Sequence, residues 1–94
     1  MTTVPEPTAT YSKTWTHPPY PTEADAQVYR SSCVAQAVDR SRMEGRAPVT
    51  PPTVTEEGGR LVVSFGTFRT VKLTDEQVRE TSALRDAWTL AEPA

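Results

Sequence analysis

Apolar residues recur at two different periods along the chain, with polar stretches between them. Between 23 and 44 the spacing is helical: Ala26, Tyr29, Cys33, Val34, Ala37 and Val38 fall on one stripe. Thr22 stands ahead of it as an N-cap, with Asp25 three residues on as an acidic capping-box variant. Glu23 and Asp25 sit at the positive end of the dipole, and Arg40 and Arg42 near the negative end. Gly45 and then Pro48 stop the pattern, so a helix is predicted over 23–44. The stripe is narrow and its side chains are mostly small. At ~25 cal/mol per Å² of apolar surface it grips weakly, so this helix is expected to pack on something larger than this chain supplies.

The clearest β signal lies between Arg60 and Leu73. Leu61, Val62, Val63 and Phe65 lead to Gly66-Thr67, and Phe68, Thr70, Val71 and Leu73 follow. Gly66-Thr67 suits a two-residue type II′ hairpin turn, predicting strands over 60–65 and 68–73 with Phe65 and Phe68 paired on the buried face. Val54 between threonines predicts a shorter strand over 53–56, ahead of a turn at Glu56-Glu57-Gly58-Gly59. A second helix is predicted over 75–90. Thr74 caps it, Gln77 completes a capping box, and Val78, Leu84, Ala87, Trp88 and Ala91 form its apolar face.

Residues 1–21 differ in kind. They are rich in Pro and Thr, nearly uncharged, and carry Tyr11, Trp15 and Tyr20. Pro5, Pro7, Pro18, Pro19 and Pro21 forbid helix and favour an extended backbone. Between the prolines, Tyr11, Lys13, Trp15 and His17 would share one face of a strand. This arm has no core of its own. Either it covers the chain's own sheet, with Trp15 filling the core, or it lies on a neighbouring molecule. The expected architecture is therefore α+β: two helices and a short antiparallel meander or hairpin in residues 22–94, preceded by an extended arm over 1–21.

Composition narrows the function classes. The chain has 94 residues, enough for one domain. Hydrophobic residues are only 36%, and nine prolines are about twice the usual share. No apolar run has the length of a membrane span, and the N-terminus lacks the pattern of a signal peptide. A cytoplasmic or virion-associated location is expected. A net charge of −2 gives no general attraction to nucleic acid or anionic lipid. Isoleucine and asparagine are absent, and Lys13 and Lys72 are the only lysines. Those types have AT-rich codons, so the coding points to a GC-rich genome such as that of an actinobacterium or one of its phages.

Candidate chemistry is sparse. The single cysteine, Cys33, falls mid-stripe on the first helix and reads as a small core residue. The single histidine, His17, lies in the arm at no motif spacing to Cys33. Neither a metal nor a cofactor is expected, and Glu56-Glu57 in a glycine turn reads as solvated. The chain is expected not to be an enzyme. Large aromatics on a pre-ordered extended backbone resemble interface anchors, so Tyr11, Trp15, His17 and Tyr20, with Tyr29 on the helix, are the candidate partner-binding residues. The expected function is that of a non-enzymatic protein–protein interaction component of a larger assembly, such as a phage capsid decoration or connector protein. The alternative is a small regulator or inhibitor that binds a single host protein.

Overall fold

A computed structural model describes residues 4–91. Along the chain, strand β1 (Ala9–Thr16) is followed by helix α1 (Glu23–Met43) and strands β2 (Arg46–Pro48), β3 (Thr53–Glu57) and β4 (Arg60–Arg69). Helix α2 (Asp75–Ser82) follows a 3-10 turn, Thr70–Lys72. A second 3-10 turn, Ala83–Asp86, leads to strand β5 (Thr89–Ala91). The fold is α+β, with α1 lying on one face of a five-stranded mixed sheet.

β4 is the centre of this sheet because it is long enough to be shared. Thr67 pairs with Ala9 of β1 on one edge and with Pro48 of β2 on the other, so β2 and β3 lie end to end along the same edge of β4. Between them, four residues of the edge chain, 49–52, face two of β4, 65 and 66. This wide bulge is where Val49 N–H donates to Gly66 C=O at 2.9 Å and Gly66 N–H donates to Thr50 Oγ1 at 2.7 Å. β5 adds to β3 in parallel, pairing Val54 with Leu90.

The hairpin turn is not at Gly66-Thr67. β4 runs straight through those residues, and the turn falls at Gly58-Gly59, where φ is +59° and +77°. Two successive positive φ values are what a type I′ turn demands, and only a Gly-Gly pair adopts both without steric cost. Gly66 serves close approach instead. A Cβ there would lie 2.6 Å from Pro7 Cβ, so the chain ahead of β1 crosses the sheet at that point. An unbroken β4 also separates the two phenylalanines. Phe65 points inward with Leu61 and Val63, and Phe68, three residues on, points to the opposite face. The predicted strand over 68–73 ends at Arg69 and gives way to the 3-10 turn.

Both helices begin where their caps predict. Thr22 Oγ1 accepts from Asp25 N–H at 3.1 Å, and Thr74 and Gln77 form the full capping box. α2 is shorter than predicted. It stops at Ser82, and Trp88 beyond it packs against the core while Thr89–Ala91 turn back into the sheet. The apolar positions after 82 follow helical spacing, yet joining β3 satisfies the same backbone groups and pairs Thr53 and Val54 with Thr89 and Leu90. The predicted end at Glu92-Pro93-Ala94 lies outside the described residues. Among those described, no helix is long and apolar enough to cross a membrane.

The core consists of Cys33, Val34, Ala37 and Val38 from α1 against Val54, Leu61, Val63 and Phe65 of the sheet. Small residues on α1 let the helix axis come close to the strands. Residues 9–16 lie on this same sheet as β1, paired with β4 from Ala9–Thr67 to Thr16–Arg60. Their alternation carries Tyr11 and Trp15 inward onto the core and leaves Thr10, Ser12, Thr14 and Thr16 exposed on the other face.

Candidate functional site

Five rows of side chains cross the helix-facing side of the sheet, and the row at the β3–β4 turn is polar. Trp15 pairs with Leu61, and Leu61 with Glu56. Glu56 shares the inward face of β3 with Val54, two residues before it, so strand alternation drives a carboxylate under the helix. Arg30 on α1 meets it there. Arg30 belongs to the buried stripe, four residues after Ala26 and four before Val34, and only 8% of it is exposed.

The two groups make each other possible. Arg30 Nε donates to Glu56 Oε1 at 2.7 Å, and its Nη1 donates to Glu23 Oε1 at 2.7 Å. The Tyr20 hydroxyl donates to Glu56 Oε2, and His17 Nε2 lies 3.4 Å from that oxygen. His17 Nε2 is close enough for electrostatic contact but is not aligned for a hydrogen bond. His17 Nδ1 lies 3.0 Å from the Pro18 carbonyl, which can only accept, so Nδ1 carries a hydrogen. Burial works against the Glu56 charge. The hydrogen bonds from Tyr20 and Arg30 and the charge of Arg30 outweigh it, and the carboxyl lies below its ordinary value of 4.5.

Aromatic rings roof this pair. His17 stacks on Tyr20 with centroids 4.5 Å apart, and Tyr29 tilts against both at 5.7 and 5.9 Å. The Arg30 guanidinium sits 5.7 Å from the Tyr20 ring centre. Burial, then the hydrogen bond to Glu56, raises the Tyr20 phenol well above its ordinary value. The Tyr29 hydroxyl donates to Thr16 C=O at 3.3 Å. Burial likewise pushes the Cys33 thiol up, with Tyr29 pulling the other way. A buried thiol held protonated is a poor nucleophile.

The five candidate partner-binding residues therefore fall in two places. His17, Tyr20 and Tyr29 come together around Arg30 and Glu56, where they tie the β1–α1 connection to the sheet. Tyr11 and Trp15 lie further along β1, half-buried, with Tyr11 stacked on Phe65 at 5.4 Å. Sequence reasoning missed Arg30 and Glu56. Glu56 was read as solvated in a turn, yet the turn begins one residue later, after Glu57. Two signals pointed to them: Arg30 stands at i+4 from Ala26 on the stripe, and Glu56 is in phase with Val54. Among the described residues no group of three or more His, Cys, Asp or Glu side chains could hold a metal ion.

The opposite face of the sheet carries no covering layer of helix. Its rows read Thr14–Val62–Thr55 and Ser12–Ser64–Thr53–Thr89, hydroxyl groups from four strands beside a little apolar surface. An open depression of about 560 Å³ lies on this face, lined by Thr55, Glu57, Gly58, Arg60 and Val62. β1 bounds the sheet and has no strand on its outer side. Beside it, Tyr11, Lys13, Arg40, Met43 and Glu44 line a second shallow groove, with Met43 79% exposed. Comparison with known proteins finds no matching family, no similar curated protein and no similar solved structure.

Proposed function

We propose that this chain is a non-catalytic interaction component of a larger protein assembly. The observation that carries this reading is the uncovered, hydroxyl-lined face of the sheet together with the open edge of β1. A two-layer domain with one bare sheet face offers a flat, rigid surface whose rows of short side chains pay little entropy on docking. The groups with most chemical potential, His17, Glu56, Cys33 and Tyr20, are turned inward and bonded to one another, which suits a structural clamp. The small size and GC-rich coding fit a phage virion accessory, such as a capsid decoration or connector protein, acting in the cytoplasm during assembly and on the virion afterwards.

The test is photo-cross-linking in the native host. A cross-linking amino acid at Thr55, in the middle of the bare face, is expected to trap a discrete neighbour of fixed size. The same probe at Val28, exposed on the far side of α1, is the control. Monomer alone from the Thr55 probe refutes the reading. Capture of one soluble enzyme at equal stoichiometry favours the regulator or inhibitor instead.

A further inference from the structure

The free edge of β1 is an eight-residue strand bounded by Pro5 and Pro7 before it and Pro18 and Pro19 after it. His17 N–H donates to Gly59 C=O at 2.9 Å, two residues beyond the Trp15–Leu61 pair. In an antiparallel ladder this parity alternates, so the odd residues of β1 direct their backbone groups at β4. The N–H and C=O of Thr10, Ser12, Thr14 and Thr16 therefore point outward along the open edge. An edge of this length is ordinarily blunted by a bulge, a proline within it or an inward charge. β1 has none of the first two, and its one charge is Lys13.

We infer that β1 pairs antiparallel with β1 of a second copy, about a two-fold axis through Ser12, joining two sheets into one. The occupant follows from register and charge. Outward parity allows the axis at Ser12 or at its neighbours Tyr11 and Lys13. An axis at Lys13 sets two ammonium groups directly opposite each other, which is destabilising. An axis at Tyr11 shortens the overlap and leaves Trp15 beyond its end. The axis at Ser12 places Ser12 opposite Ser12 and Thr10 opposite Thr14, each pair exchanging both hydrogen bonds. On the inward face it sets Lys13 of each copy opposite Tyr11 of the other, and Trp15 opposite the small Ala9.

Charge complementarity supports that pairing. Glu44 lies near enough to Tyr11 to raise its phenol, after burial and against Arg40. Among the described residues Lys13 makes no ion pair; its ammonium rests 5.6 Å from the Trp15 ring centre. Bringing Lys13 against Tyr11 of the second copy delivers its charge to a groove that already holds Glu44. The two-fold stands perpendicular to the sheet, so both α1 helices lie on the same side, and the two grooves with their exposed Met43 side chains face each other. This partner choice rests on the association reading above.

The experiment is sedimentation velocity on the full chain and on edge variants. The wild-type chain is expected to sediment as a dimer. Ser12→Pro removes an outward N–H without touching the β1–β4 ladder. It should leave circular dichroism and melting near wild type while weakening self-association roughly a hundredfold, since the symmetric pair loses both donors. Thr14→Pro should do the same. Ser12→Cys should oxidise to a covalent dimer, because hydrogen-bonded partners stand about 5.5 Å apart at Cα, within disulfide range. Lys13→Cys should not, because the two Lys13 residues then lie diagonal, about 7–8 Å apart. A wild-type chain that is monomeric at every concentration overturns the inference. So does a dimer that survives both proline variants, or preferential cross-linking through Lys13→Cys. A monomeric chain whose Thr55 probe still traps a neighbour overturns self-pairing alone and leaves the association reading standing.

Discussion

Replacing Glu56 by Gln removes a charge and leaves the shape unchanged, so it isolates what that carboxylate contributes. Glu56 is 17% exposed and accepts from Arg30 Nε at 2.7 Å and from the Tyr20 hydroxyl. Hydrogen bonds to charged groups contribute about 1.5–3 kcal/mol each. The amide of Gln can still accept from one partner but gives up the charge. Arg30 is then left with Glu23, whose carboxylate is 80% exposed. An exposed partner of that kind contributes only about 0.2–1 kcal/mol, too little to compensate a buried guanidinium. The expected loss for Glu56→Gln at pH 7 is about 2 kcal/mol, or roughly 10 °C in melting temperature for a domain this small. Glu23→Gln, by the same reasoning, should cost under about 0.5 kcal/mol.

The pH dependence provides the refutation. The folded-state carboxyl lies below its ordinary value of 4.5. Its contribution is therefore fully present above that value and is lost as pH falls through the folded value. Urea unfolding followed by Trp15 and Trp88 fluorescence should give a gap between wild type and Glu56→Gln that is full at pH 7 and closes as pH drops below 4.5. A gap of the same size at pH 7 and pH 3 would show that lost packing, not the paired charge, sets the cost. No gap at pH 7 would show that the Arg30–Glu56 pair contributes nothing net.

Two further predictions concern the chain's N-terminal third. Removing residues 1–17 deletes β1 together with Tyr11 and Trp15, so cooperative unfolding in urea should be lost; a truncated chain that keeps wild-type melting would show that β1 is dispensable to the core. Gly66→Ala drives a Cβ to 2.6 Å from Pro7 Cβ and should cost about 1–3 kcal/mol in chemical denaturation. Paired with Pro7→Gly, which removes the clashing ring, Gly66→Ala should cost less, and an undiminished cost would place the strain elsewhere.

Much of the fold is legible residue by residue. Thr22 and Thr74 start the helices where their hydroxyls can take an N3 amide, and that chemistry needs only the neighbouring residues. The α1 stripe and the alternation of Tyr11, Lys13 and Trp15 are likewise local, because side-chain direction follows from backbone period alone. The sheet's connections are not local. Gly66-Thr67 and Gly58-Gly59 both satisfy the requirements of a two-residue turn. The choice between them rests on β1 and the bulged edge of β2 and β3, which pair with β4 on both sides of Gly66 and hold it extended. Helical spacing past Ser82 similarly yields to a strand because β3 has an edge for β5 to fill.

The paired charges show the same division. Arg30 is in phase with the α1 stripe and Glu56 is in phase with Val54, so sequence periodicity alone determines that each faces inward. Only the crossing of α1 over the β3–β4 turn sets the guanidinium 2.7 Å from the carboxylate, and without that contact neither charge could leave water. Sequence fixes which way a side chain points, because that depends on a few bonds. Tertiary structure decides what it meets, because that depends on residues 26 positions apart in the chain.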